Sequence, residues 1–206
     1  MILKRYGDAG APYVLVQPVD EHEISAIGSE VAAIRDLSPI SFELLAVQVD
    51  NRNDDLTPWA APALFGKKDF GGAAARTLAF IENVCADADR RYVIGGYSLA
   101  GLFALWAACQ ADRFAAVAAA SPSVWFPSFT DHLRQNPVNC AAVYLSLGDR
   151  ENQARDPIVQ CQKILGLLQN TIFAAASFFL LQSHTFLLCP FKKSTANKAS
   201  SREHPS

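Results

Sequence analysis

Short apolar runs alternate with longer amphipathic stretches along most of the chain. Runs of strand length cover residues 13–17, 42–49, 91–94, 114–120 and 141–147. Helices are predicted over 23–35, where apolar residues recur at intervals of three and four, and over 71–84 and 102–110. This alternation is typical of an α/β protein whose helices pack on a sheet.

Two segments between these elements have the composition of loops. Residues 50–70 are polar and contain proline, and loops of that length are often functional. Residues 121–127 contain Pro122 and Pro127, which exclude regular structure there. Another proline, Pro18, is expected to end the first strand.

The composition is that of a globular chain about one domain long. Half of the 206 residues are hydrophobic and 18% are charged, which argues against disorder. Eighteen Lys and Arg against 20 Asp and Glu leave a net charge of -2, so no basic excess is available to neutralise a phosphate backbone. We therefore expect no nucleic-acid partner.

The cysteines and the apolar runs indicate a reduced, cytoplasmic protein. Five cysteines, widely spaced and without a C-x-x-C pair, favour neither a disulfide framework nor a metal site. The charged first eight residues do not fit a signal peptide. The apolar run 172–181 is shorter than a membrane span and is followed by polar residues, so we interpret it as a buried strand rather than a tail anchor, with no membrane partner.

The composition changes abruptly near residue 156. Nineteen of the 20 acidic residues lie at or before Asp156, and residues 157–202 contain none. Residues 192–206 are rich in Ser, Lys and Ala without apolar periodicity, and we expect a disordered tail there. The predicted organisation is a single domain over 1–191 followed by this tail.

The strongest chemical signal is a serine between an apolar strand and an apolar helix. Ser98 has the small residues Gly96 and Ala100 two positions before and after it, as a sharp strand-to-helix bend requires. Such a bend lifts the hydroxyl off the sheet as a nucleophile. The helix that follows points its first N–H groups at the site, so the Leu99 N–H is placed to stabilise an oxyanion.

This segment also allows two other interpretations. Gly96 and Gly101 have the spacing of a phosphate-binding loop, but Leu102 and Phe103 occupy the positions that such a loop gives to Lys and to Ser or Thr. A nucleotide site is therefore not favoured. A simple tight turn with a surface serine is the remaining alternative.

Three blocks of sequence together resemble a known enzyme group. They are residues 95–106 around Ser98, residues 120–127 with Ser121-Pro122-Ser123, and residues 144–151 with Gly148-Asp149. In this order they resemble bacterial α/β-hydrolases related to the enterochelin esterase and esterase D group, over about residues 5–155. The resemblance implies a mostly parallel sheet with helices on both faces. It also implies serine hydrolysis of a small-molecule ester or related acyl compound, without a cofactor.

The resemblance also implies the partners of the nucleophile, in the chain order serine, acid, histidine. Asp149 follows the strand 141–147 and is the expected acid, with Glu151 as second choice. His184 is the expected base, although the Gln-Ser that precedes it differs from the Gly-Asn usual in similar proteins. His22 and His132 lie upstream of the serine or of the acid and are interpreted as surface or loop residues.

The remaining site residues are expected from the loops. The second N–H group of the oxyanion hole is expected just after the first strand. Pro18 has no N–H, so Val19 or Asp20 must supply this donor, and we predict Val19. Trp59, Trp125 and Phe126 are candidates for the substrate pocket, or else core residues.

A rival hypothesis comes from the unusual carboxyl-terminal composition. The helix that family members carry after the histidine is not visible in residues 192–206. A frameshifted or alternative end would explain this, and the chain would then be a catalytically inactive α/β-hydrolase-like protein, acting by binding or without activity.

Overall fold

A six-stranded sheet forms the centre of the computed structural model, which describes residues 1–64 and 66–146. The described residues form eight strands in chain order: β1 Ile2–Gly7, β2 Tyr13–Val19, β3 Phe42–Gln48, β4 Ala60–Ala61, β5 Phe70–Gly71, β6 Arg91–Tyr97, β7 Phe114–Ala120 and β8 Ala142–Ser146. The central sheet has the order β1-β3-β2-β6-β7-β8, and β4 and β5 form a separate two-stranded ribbon. Of the strands that the structure describes in the central sheet, only β1 runs antiparallel to its neighbour.

Helices connect the parallel strands of this sheet. A 3₁₀ turn at Glu23–Ala26 leads into α1, Ile27–Leu37. The later helices are α2 Arg52–Asp55, α3 Ala74–Val84, α4 Leu99–Gln110 and α5 Phe129–Gln135. No helix of these described residues is both long enough and apolar enough to cross a membrane.

The two faces of the sheet are buried by different helices. On one face Val14 and Val16 of β2 belong to the same core as Ile81 of α3 and most of α4. On the other face Leu44 and Ala46 of β3 pack with the apolar stripe of α1. Because side chains alternate along a strand, β3 is buried on both sides. The predicted α/β class with helices on both faces is confirmed.

Helix α4 lies closest to the sheet and is almost entirely buried. Ten of its 12 residues are buried, which explains why its sequence is apolar all round rather than amphipathic. It packs on β6 and β7, whose glycine and alanine residues leave room for it. At Gly95 a Cβ atom would lie 2.8 Å from the Ala118 carbonyl oxygen, so this part of the sheet accepts no larger residue without movement.

The structure corrects several predicted boundaries. Strand β1 and helix α5 were not predicted, and residues 50–70 contain α2 and the first ribbon strand rather than loop alone. Strand β2 continues through Pro18 to Val19 because its pairing with β6 has ended at Val16, so the missing N–H removes no bond from the ladder. Helix α4 begins at Leu99, three residues before the predicted start.

Candidate active site

Ser98 lies at the junction where β6 ends and α4 begins. Its backbone has φ 58° and ψ -116°, a conformation that residues with a side chain rarely adopt. Strained backbone of this kind persists where the surrounding structure holds it, and it is concentrated at functional sites. The side chain is half-buried, and the bend presents it at the carboxyl ends of the parallel strands.

Two small residues allow the chain to turn this sharply. A Cβ atom at position 96 would lie 2.4 Å from the Cβ of Ala100, far inside normal contact. At Gly101 a Cβ would lie 3.1 Å from the Gly96 carbonyl oxygen and 3.2 Å from Pro122. The close approach that the sequence spacing predicts around Ser98 is therefore present.

The polar groups of Ser98 are held by the end of β7 and the loop after it. Its N–H donates to the Ala120 carbonyl at 3.0 Å, and its carbonyl accepts from the Leu102 N–H at 3.0 Å and the Ser123 N–H at 3.1 Å. Its hydroxyl oxygen lies 3.0 Å from that of Ser123. Ser123 is 2% exposed, so its hydroxyl is a buried polar group with Ser98 as partner.

Ser123 is a site residue that the sequence interpretation did not assign. The signal was available, because Ser123 follows β7 and the carboxyl ends of adjacent parallel strands meet at one edge of a sheet. The loop that carries it is fixed by the Ser121 N–H, which donates to the Ser146 carbonyl at the end of β8 at 2.7 Å. Ser121 itself has a positive φ of 41°.

The first turn of α4 supplies hydrogen-bond donors beside the Ser98 hydroxyl. The first N–H groups of a helix have no partner within the helix, and the positive end of the helix dipole lies with them. Leu99 is the first residue of α4, directly after Ser98. Its N–H is therefore suited to an oxygen that gains negative charge next to the nucleophile.

The loop after β2 is organised by reciprocal side-chain and backbone hydrogen bonds. The Asp20 N–H donates to Glu23 Oε2 at 3.1 Å, while Asp20 Oδ1 accepts from the N–H groups of His22 and Glu23. This is the arrangement of a capping box. Val19, the predicted second oxyanion donor, ends β2, and its carbonyl accepts from the Val49 N–H at 2.9 Å. Its role as a donor remains a prediction.

Arg52 connects this loop to the bend at Ser98. Its Nη2 donates to the Tyr97 carbonyl at 2.7 Å, and its Nη1 lies 3.7 Å from Asp20 Oδ2 and donates to Glu23. The sequence interpretation did not identify Arg52. No local pattern marks it, since its partners are 29 to 45 residues away along the chain.

The three aromatic pocket candidates lie near one another. The Trp59 ring is 5.6 Å from that of Phe126, and its Nε1–H donates to the Pro127 carbonyl at 3.0 Å. A cavity of about 260 Å³ opens between the segment 124–131 and Arg134, and both Trp125 and Phe126 line it. Phe126 is also a buried core residue, and its place in a substrate pocket remains a prediction.

The described histidines differ in their surroundings. His22 is exposed beside the 3₁₀ turn. His132 of α5 is half-buried against Trp59, with ring centres 5.4 Å apart, and burial lowers its pKa. Its Nε2 has no hydrogen-bond partner within residues 1–64 and 66–146. The predicted base His184 and the predicted acids Asp149 and Glu151 lie outside the described residues.

No site for a metal ion is formed by the described part of the chain, where no three His, Cys, Asp or Glu side chains are grouped suitably. Its three cysteines, Cys85, Cys109 and Cys140, are unpaired. Burial raises the pKa of Cys85 and Cys109 to about 12 and that of Cys140 to about 11, so these thiols are protonated at neutral pH.

Comparison with known proteins gives one sequence relative and a group of similar structures. No family model matches the chain. The uncharacterised protein YbbA of Bacillus subtilis (strain 168) is 28% identical over 130 residues, which are 56% of this chain and 52% of that protein. The chain thus spans about half the length of this relative.

The similar structures include three esterases or hydrolases. Siderophore hydrolase EstB from Aspergillus nidulans has a TM-score of 0.60 at 18% identity, over 80% of this chain and 73% of its own. Siderophore hydrolase EstA from Aspergillus nidulans has a TM-score of 0.52 at 21% identity, over 80% of this chain and 69% of its own. The enterobactin esterase FES from Shigella flexneri has a TM-score of 0.53 at 17% identity, over 82% of this chain and 48% of its own. The chain therefore has the α/β-hydrolase fold.

Proposed function

We propose that this chain is a serine hydrolase that cleaves a small-molecule ester or related acyl compound through an acyl-enzyme at Ser98. The observation that carries the proposal is the strained backbone of Ser98 directly before the N-terminus of α4. In the proposed reaction the Ser98 hydroxyl attacks the substrate carbonyl, and the N–H of Leu99, the first residue of α4, donates to the oxygen of that carbonyl.

The proposed reaction has two steps with the same groups. Ser98 Oγ forms a bond to the acyl carbon while His184 takes its proton, and His184 returns that proton to the departing alcohol. A water molecule then attacks the acyl-enzyme, His184 takes its proton and gives it to Ser98 Oγ, and the acid is released. Asp149 orients His184, and the N–H groups of Leu99 and Val19 bind the oxyanion in both steps.

The names of similar structures support an ester as the substrate. Two are siderophore hydrolases and one is an enterobactin esterase. The cavity lined by Trp125 and Phe126 is of a size for a small acyl or aromatic group. The cytoplasmic location and the lack of nucleic-acid or membrane partners stay predictions from the sequence.

A fluorophosphonate probe tests the nucleophile directly, since it labels only an activated serine. We expect labelling of the wild-type chain and none of Ser98→Ala, while Ser25→Ala, which removes an exposed hydroxyl far along the chain, labels normally. Turnover of p-nitrophenyl acetate should fall by about 10⁴-fold or more in Ser98→Ala and in His184→Ala. An unlabelled wild-type chain would instead favour the inactive α/β-hydrolase-like protein.

A further inference from the structure

The Arg52 side chain joins three segments that meet beside the nucleophile. It extends from α2, hydrogen-bonds Glu23 and approaches Asp20 with one nitrogen, and donates to the Tyr97 carbonyl with another at 2.7 Å. The guanidinium presents its donors in a rigid planar fork, so contacts on two of its nitrogens fix the distance between the groups that they bind. Arg52 thus ties the loop after β2 to the last residue of β6.

These contacts differ from those of an ordinary surface ion pair. Exposed pairs contribute little to stability because water screens them and long side chains lose freedom on pairing. The Arg52 side chain is only 19% exposed, and its carboxylate partners are themselves fixed by the capping box between Asp20 and Glu23. The bond to Tyr97 goes to a backbone carbonyl, so it orders the main chain.

The Tyr97 carbonyl belongs to the peptide group that precedes Ser98. The N–H of the same peptide group donates to the Ala120 carbonyl at 3.0 Å. Arg52 therefore holds one side of this peptide and β7 holds the other. The Tyr97 side chain is 56% exposed and contributes little packing, so polar contacts have the larger part in fixing the peptide. Strained backbone persists only where its surroundings determine it in this way.

We propose that Arg52 is a positioning residue for the Ser98 bend. It keeps the Ser98 hydroxyl and the Leu99 N–H at a fixed distance from the loop after β2, which directly follows Val19, the proposed second oxyanion donor. This role rests on the proposed hydrolase function. Reacting groups displaced by about 1 Å can lose 100-fold in rate, so loss of Arg52 acts on kcat more than on KM.

The test compares two substitutions at Arg52 with a matched control. Arg52→Lys keeps the charge but has no planar fork to bridge Glu23 and the Tyr97 carbonyl, and Arg52→Gln removes the charge. Arg76→Lys is the control, because it changes an arginine whose ion pair is with Asp55, a residue of the same helix α2. We measure kcat and KM for p-nitrophenyl acetate, the melting temperature, and hydrogen exchange of peptides covering residues 95–102.

Both Arg52 variants should lose about 10- to 100-fold in kcat with KM changed less than about threefold. Amides of residues 95–102 should exchange faster in both, while Arg76→Lys alters the melting temperature without either effect. Unchanged exchange in the Arg52 variants, or equal acceleration in Arg76→Lys, would overturn the proposal whatever the turnover. If the wild-type chain shows no Ser98-dependent turnover, the proposed hydrolase function is wrong. Hydrogen exchange of residues 95–102 still tests whether Arg52 holds the bend in that case.

Discussion

The hydroxyl oxygens of Ser98 and Ser123 lie 3.0 Å apart, although the two residues are 25 positions apart in the chain. Their backbones are joined as well, because the Ser123 N–H donates to the Ser98 carbonyl. The two residues follow adjacent parallel strands, β6 and β7, which end at the same edge of the sheet. Ser123 therefore fixes both the main chain and the hydroxyl of the proposed nucleophile.

We expect Ser123→Ala to slow the proposed hydrolysis without unfolding the chain. The substitution removes a hydrogen bond between neutral groups, which is worth about 0.5–1.5 kcal/mol, and leaves the Ser98 hydroxyl free to rotate. The corresponding loss is about 3- to 10-fold in the rate of fluorophosphonate labelling and in kcat. The labelling rate is measured by stopping the reaction at several times.

The matched control is Ser146→Ala, which removes another buried serine hydroxyl at the end of the neighbouring strand β8. Only its backbone carbonyl takes part in the contact with Ser121, and alanine keeps that carbonyl. Labelling of Ser98 should proceed at the wild-type rate in this variant. Equal rates for Ser123→Ala and the wild-type chain would show that the hydroxyl contact has no part in the reaction.

Gly96→Ala should damage both the fold and the nucleophile. The added Cβ lies 2.4 Å from the Ala100 Cβ and 3.0 Å from the Ala100 carbonyl carbon, so the backbone of α4 must move. Overpacking of this kind costs about 1–3 kcal/mol. Urea unfolding measures the loss, and fluorophosphonate labelling should fall with it.

Gly28→Ala is the matched control for the added methyl group. Position 28 lies in α1, where a Cβ meets nothing within 4 Å. Alanine is favoured over glycine inside a helix by about 0.5–1 kcal/mol, so this variant should be more stable than the wild-type chain. A Gly96→Ala chain of wild-type stability would contradict the tight contact at the bend.

The parts of the site that the sequence predicts are those that depend on neighbours in the chain. Gly96, Ser98 and Ala100 reveal the bend because its steric requirement spans only five residues. The parallel strands are recognisable because burial makes them continuously apolar. Strand β1 escapes this criterion, since as an edge strand with one partner it exposes much of its surface.

Residues that act across the sheet are not marked by local pattern. Ser123 and Arg52 resemble ordinary loop residues in the sequence, and their partners are set by the order of the strands. Helix α5 has only seven residues and follows a loop with two prolines, so it lacks the length at which apolar periodicity becomes a signal.

Trp125→Ala should widen the range of esters that the proposed hydrolase accepts. Trp125 lines the cavity of about 260 Å³, and its removal makes room for a longer acyl chain. We expect the ratio of kcat/KM for p-nitrophenyl octanoate to that for the acetate to rise by about 10-fold, as one or two accommodated methylenes allow. Steady-state kinetics with both esters measure this ratio.

Trp59→Phe is the control that distinguishes a change in pocket size from a loosening of the loop that contains Pro127. It removes the hydrogen bond to the Pro127 carbonyl but takes away no residue that lines the cavity. The kcat/KM values for both esters should then change by the same factor, so the ratio of the octanoate value to the acetate value should stay at its wild-type level. A ratio that is unchanged in Trp125→Ala would show that the acyl group binds elsewhere.

Glu43→Gln should cost stability in a way that depends on pH. Glu43 is 2% exposed and bonds Arg5 and Arg90 at 2.9 and 2.6 Å. Burial alone raises its pKa, but the hydrogen bonds from Arg90 and Arg5 outweigh burial and hold it below the ordinary 4.5. The carboxylate thus stabilises the fold above pH 4.5, and this contribution is lost as the pH falls through the lowered pKa of Glu43.

Urea unfolding should show Glu43→Gln less stable by about 1–3 kcal/mol at neutral pH, with the difference shrinking below pH 4.5. The exposed Glu82→Gln should show no such difference, and a Glu43→Gln deficit that is constant with pH would contradict the ion-pair explanation.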